Sequence, residues 1–150
     1  MNHKSSLSLF PGVKFKLLAL FLTTTALIPA LSGAQDRGYD PGMLENGQYL
    51  FQKNCASCHG QAAEGTVKNW QQRGEDGKLP PPPLNGTAHT WHHPIKGLAH
   101  TIRNGTLSIG GNMPPWKDKL SNDEIFSIII WLTSLWPDEI YQAWLQRNNS

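Results

Sequence analysis

Two thiols and an imidazole stand together at Cys55-Ala56-Ser57-Cys58-His59. Cysteines three positions apart, with histidine directly after the second, form the attachment signature of c-type haem. The two sulfurs can add as thioethers to the vinyl groups along one edge of the porphyrin. His59 then comes under the ring, where one imidazole nitrogen can serve the iron as proximal ligand. Three other chemistries use paired cysteines. A thioredoxin-like redox pair needs a preceding strand in a βαβ pattern, and the residues before Cys55 read as helix. A zinc site needs further thiols or a Cys2His2 spacing, but the chain has 2 cysteines in all and the histidine spacing is not met further on. A disulfide between the pair would close a loop too small to stabilise much.

A haem iron has a second axial position, and the chain offers a candidate for it in Gly110-Gly111-Asn112-Met113-Pro114-Pro115-Trp116. The glycines let backbone approach a flat ligand, and the prolines stiffen the backbone beyond Met113. Met113 can present a neutral, soft thioether to the iron. Methionine more often fills gaps in a core, but the loop context and the position after the attachment motif favour a ligand. A proximal histidine also needs its other ring nitrogen held by an acceptor. The run Leu79-Pro80-Pro81-Pro82-Pro83-Leu84-Asn85-Gly86 presents stiff carbonyls, and that of Pro82 is the preferred acceptor for His59. The same run on a surface could be a ligand for other proteins. His89, His92 and His93 surround Trp91 and leave three readings open. They could bind copper or zinc, supply a distal haem ligand, or be a half-exposed lead-in to the next helix. His100 reads as a solvated or semi-buried helix residue.

The elements that must position these groups are helices. Leu44, Gly47, Leu50, Phe51 and Asn54 recur at helical spacing and predict a helix over 43–54, after a turn or helix start at Asp40-Pro41-Gly42. Gly47 costs roughly 1 kcal/mol against alanine inside a helix. It marks either a second helix passing close by or a frayed start. The polar, glycine-rich 60–78 reads as loop with a short helix over 67–73, and Trp70 pins it to the body. A helix over 95–104 begins with Pro94 in its first turn and stops at Gly105, with Leu98 and Ile102 on its apolar face. Ser121-Asn122-Asp123-Glu124 is a capping box. It opens a helix to about Trp136 whose buried side carries Ile125, Ile128, Ile129, Leu132, Leu135 and Trp136, broadened by Ile130 and Trp131 and ended by Pro137. A last short helix over 138–146 returns Ile140, Trp144 and Leu145 to the body.

The first 34 residues do not read as fold. Lys4, Lys14 and Lys16 lead an apolar run over 17–31, and Ser32-Gly33-Ala34 offers small residues for cleavage. The expected division is a cleavable secretory signal peptide at 1–34 and a functional domain at 35–150. The run is short for a membrane span, and an uncleaved anchor is the alternative. Removing 34 residues from 150 leaves 116, enough for one small domain in which a covalent haem would supply much of the core. The leader takes 3 of the 13 basic residues and no acid, so the remainder carries 10 against 11 acidic, a formal −1. That balance points to neither nucleic acid nor an anionic membrane as partner.

Taken together, these residues resemble class I cytochromes c, the small monohaem proteins of bacterial periplasms and mitochondria. The resemblance covers about 43–136. It implies an all-α, cytochrome c-like fold of helices wrapped around one covalently attached haem c, with its iron. Carried over by position, Cys55 and Cys58 match the thioether cysteines, His59 the proximal ligand and Met113 the distal one. Pro82, two before Leu84, matches the proline whose carbonyl accepts from that histidine, and Leu84 goes with it as a cofactor-binding position. Gly47 and Phe51 match the N-terminal helix positions that cross a C-terminal helix, where Trp131 takes the usual aromatic place. The implied activity is periplasmic electron carriage between redox partner proteins, with no catalytic residue and no small-molecule substrate. The alternatives are a sensor or peroxidase-like enzyme with an open or labile haem, or a haem protein with an accessory copper site. The long 60–81 stretch, the histidines around Trp91 and the tail after Pro137 depart from the simplest family pattern.

Overall fold

Asp40 starts the first helix. Its extended backbone stands at the N-cap and its carboxylate accepts the Met43 amide at 2.9 Å. Pro41 follows in the first turn, where a missing N–H costs nothing. In this computed structural model, which describes residue 1 and residues 37–149, the helix is α1, Pro41–Asn54. It is followed by α2 (Ala56–His59), a 3₁₀ turn at Thr90–His92, α3 (Ile95–Asn104), a 3₁₀ turn at Leu107–Ile109, α4 (Asn122–Ser134) and α5 (Asp138–Asn148). The described residues form helices and loops and no strand, so the architecture is all-α. The chain divides into two units, Met1–Ser32 and Gly33–Ser150. The leader expected over 1–34 lies, Met1 apart, outside the described residues.

α1 and α4 cross at Gly47. A Cβ there would lie 2.6 Å from the Ser127 carbonyl carbon and 2.9 Å from the Trp131 Cβ. Glycine is therefore required by backbone-to-side contact between two helices, and it is buried in mid-helix rather than fraying a start. One turn on, the Phe51 ring packs on Trp131 with centroids 4.6 Å apart. Leu50, Ile125, Ile128, Ile129 and Leu132 complete the main core. The polar residues buried in α4 are satisfied within the helix: Ser127 Oγ donates to the Asp123 carbonyl and Thr133 Oγ1 to that of Ile130, each at 2.9 Å.

The capping box at Ser121 and Glu124 forms as both halves of a reciprocal pair. At its other end α4 stops at Ser134, two residues short of Trp136. The amides of Leu135 and Trp136 reach back only three residues, to Leu132 and Thr133, and Pro137 cannot continue the helix. Pro94 stands at the N-cap of α3, one position before the first turn.

The helix expected over 67–73 does not form. One turn bond, Gln72 to the Asn69 carbonyl, is made, after which Gly74 and Gly77 fold the chain into a small loop tied by Gly74 N–H to the Lys78 carbonyl. Seven residues with only Val67 and Trp70 apolar cannot repay helix nucleation. Trp70 does anchor the stretch, stacked on His89 at 5.1 Å.

A second cluster lies at the chain's end. Trp136, Tyr141 and Trp144 are buried, with Tyr39, Trp91, Ile140 and Leu145 packed around them. Arg37 enters here. Its guanidinium donates to the carbonyls of Thr133 and Trp136 and to the Asp138 carboxylate, and it lies 4.2 Å over the Tyr141 ring. It thus adds a charged donor to the carbonyls at the end of α4, where a cation is favoured.

Candidate functional site

α1 ends where the candidate chemistry begins. The Cys55 amide closes α1 on the Phe51 carbonyl, and the amides of Cys58 and His59 turn back to the Cys55 carbonyl. This local coil carries both cysteines and the histidine on one short piece of backbone. Both thiols are free, with Cys55 half-buried and Cys58 exposed. Burial, reinforced by the neighbouring Cys58, pushes the Cys55 thiol up to about 11, so it stays neutral.

His59 is buried, and its Nδ1 lies 2.9 Å from the Pro82 carbonyl oxygen. A carbonyl can only accept, so Nδ1 carries the proton and donates. That fixes the tautomer and leaves the Nε2 lone pair as the nitrogen able to hold a metal. Burial holds the imidazole below its ordinary value, against the opposing pull of the Pro82 bond, which keeps it neutral.

The proline run is held by a row of partners. Three consecutive carbonyls each receive a side-chain donor: Pro82 from His59, Pro83 from Thr90 Oγ1 at 3.2 Å, and Leu84 from Trp136 Nε1 at 2.8 Å. At its exit the amides of Leu84 and Asn85 both donate to the Ala63 carbonyl, at 2.7 and 3.2 Å. Ala63 is fully buried with φ +57°, a strained conformation for a residue with a Cβ. Sequence reasoning singled out neither Ala63, Thr90 nor the indole of Trp136 for this role. The tryptophan alone had a signal, since a buried indole N–H wants an acceptor.

Met113 stands half-buried in a loop folded onto the end of α3. Its amide donates to Thr106 Oγ1 at 3.1 Å, and its carbonyl accepts the Thr106 amide at 2.8 Å. Gly105, with φ +65°, lets the 113–115 backbone come against the helix end: a Cβ there would lie 2.5 Å from the Met113 carbonyl oxygen.

The histidines around Trp91 diverge. His89 stacks on Trp70, His92 lies edge-on to Trp91 at 3.9 Å, and His89 and His93 meet edge to face at 5.5 Å. Among the described residues no three His, Cys, Asp or Glu side chains gather as a metal site would need. The 3₁₀ turn over Thr90–His92 instead leads into α3, while His100 is exposed and bonded to Asn104.

The residues present fit a covalent haem. The donor set is two thiols, a tautomer-fixed neutral imidazole and a thioether. α3 carries an apolar face of Ile95, Leu98, Ala99 and Ile102, yet none of its residues is buried. With Cys55, Leu84 and Trp116 these side chains remain half-buried against the core, a lining suited to a flat apolar ring.

Residues 42–132 match the family model of cytochrome c oxidase, cbb3-type, subunit III. The chain is 30% identical over 96 residues to the cbb3-type cytochrome c oxidase subunit CcoP of Azospirillum sp. (strain B510), covering 64% of this chain and 30% of that protein. It is 32% identical over 101 residues to cytochrome c-L of Methylorubrum extorquens, covering 65% and 42%. The chain therefore spans well under half the length of these curated relatives. The crystal structure of cytochrome cL from Methylophaga aminisulfidivorans aligns with a TM-score of 0.48 at 26% identity, covering 69% of this chain and 61% of that one.

Proposed function

The chain belongs to the family of cbb3-type cytochrome c oxidase subunit III, cytochrome c domains with covalently attached haem c and its iron, and on that premise we propose that it is a periplasmic carrier of single electrons. Cys55 and Cys58 would hold the haem as thioethers, and His59 and Met113 would supply the ligands to its iron. Haem c, when bound, supplies a one-electron ferrous–ferric couple. The observation that carries the reading is the His59–Pro82 hydrogen bond, which leaves a single imidazole nitrogen, with fixed orientation, for the iron.

The protein's own residues do the rest. Pro82 keeps the proton on Nδ1 and so raises the donor strength of Nε2. The Met113 thioether, neutral and soft, favours the electron-rich ferrous state. Leu84 and the α3 face exclude water. If His59 and Met113 both hold the iron, they would leave it no room for a substrate, which favours a carrier over an enzyme. The domain at 35–150 is delivered to the periplasm by the leader at 1–34. An uncleaved leader would tether it to the membrane. The relatives' names, an oxidase subunit and a cytochrome, support redox proteins as its donor and acceptor.

A potentiometric titration of the periplasmically matured protein tests this. A single reversible one-electron transition, with slow cyanide binding by the ferric form and no turnover of hydrogen peroxide, is expected. Fast cyanide binding at low concentration, or peroxide turnover, would replace the carrier with an open-haem enzyme or sensor.

A further inference from the structure

Thr106 spends every polar group it has on one short loop. Its amide donates to the Met113 carbonyl at 2.8 Å, its carbonyl accepts the Gly111 amide at 2.8 Å, and its hydroxyl oxygen accepts the Met113 amide at 3.1 Å. The same carbonyl also accepts the Ile109 amide at 3.1 Å, so four hydrogen bonds to a single residue hold the stretch from 106 to 113. The side chains in its middle have little packing: Leu107 and Ile109 in the intervening 3₁₀ turn are 55% and 81% exposed. The far side is fixed separately, by Trp116 N–H on the Ile102 and Arg103 carbonyls. Of the Thr106 bonds, only the one through the hydroxyl depends on the side chain. The loop is also shaped around that side chain: Gly111 lies so close that a Cβ added to it would fall on the Thr106 hydroxyl and 2.6 Å from the Thr106 Cβ.

We infer that Thr106 is the positioning residue of the methionine loop: its hydroxyl, by holding the Met113 amide, sets how readily the Met113 thioether leaves the iron. The inference rests on the reading of Met113 as distal ligand. A ligand donated from a loop dissociates when the loop opens locally, and local openings are governed by the few contacts that close it. Losing one neutral hydrogen bond, of order 1 kcal/mol, raises the open population roughly fivefold. Cyanide reaches a six-coordinate ferric haem through that open form, so its binding rate reads the population.

The test uses the matured holoprotein. Thr106→Val keeps the β-branched shape and removes the acceptor, whereas Thr106→Ser keeps the acceptor. Gly111→Ala displaces the hydroxyl with Thr106 intact. The expected result is a sulfur-to-iron charge-transfer band retained at 25 °C in all three, with cyanide binding about fivefold faster in Thr106→Val and Gly111→Ala and within about twofold of wild type in Thr106→Ser. Wild-type rates in both Thr106→Val and Gly111→Ala would overturn the proposal, as would a Thr106→Ser rate as fast as Thr106→Val. Met113→Ala is run beside them. If that variant keeps the wild-type spectrum, the distal-ligand reading has failed, which is a different result from failure of the Thr106 role.

Discussion

His59 is oriented by one carbonyl, and that carbonyl belongs to a residue whose φ is fixed by its own ring. Pro82→Ala keeps the acceptor and frees the backbone, so the bond should loosen and the imidazole should donate less to the ferric state. The midpoint potential is then expected to rise by on the order of 30 mV, about a threefold change in a one-electron equilibrium. An unchanged potential in redox titration would deny the proline a role beyond its carbonyl. His89 offers a pH test at the same scale. Burial, then the charges of His93 and His92, hold its imidazole below the ordinary value. The native state therefore binds a proton less readily than the unfolded chain. The stability contributed by neutral His89 on Trp70 is present above the ordinary histidine range and is lost as pH falls through and below it. Urea midpoints of wild type and His89→Gln should accordingly converge between pH 7.5 and 5.5, and parallel midpoints would remove His89 from the pH response. The candidate haem-attachment cysteines and histidine were legible because Cys55, Cys58 and His59 are contiguous. The partners of Pro82 were less so: Ala63 at positive φ carries no sequence mark, and Trp136 lies 52 positions from the Leu84 carbonyl it holds.

At the scale of elements, the crossing of α1 and α4 is the firmest joint. Gly47→Ala would drive a methyl into the Ser127 carbonyl and the Trp131 side chain. Neither backbone can yield alone, so a loss of about 1–3 kcal/mol is expected in urea unfolding. A neutral result would mean that the helices can part there at no cost. The signals that located α1, α3 and α4 were local: a carboxylate or hydroxyl cap, an apolar period, a glycine or proline stop. They failed at 67–73, where Val67 and Trp70 alone offer too little apolar face to bury. They also misjudged the end of α4 by two residues, because its last amides switch to three-residue turns and carbonyls there accept from Arg37, at the other end of the domain.

At the scale of the whole molecule, two clusters share the described chain. The main core carries the crossing helices and α3, and the second joins Tyr39 to Trp136, Tyr141 and Trp144 in α5. The indole of Trp136 belongs to the second cluster and bonds Leu84 in the proline run. The segment after Pro137, expected as a short helix returning to the body, forms α5 and is thereby continuous with the candidate site. The links between clusters span many tens of positions and depend on tertiary packing, which periodicity does not report. We propose that this scaffold presents His59 and Met113 to one haem iron. The most direct test is the absorption spectrum of ferric and ferrous protein, wild type beside Met113→Ala. A low-spin wild type with a weak sulfur-to-iron charge-transfer band, absent from the variant, is expected. A high-spin wild type, or a variant with an unchanged spectrum, would contradict the account.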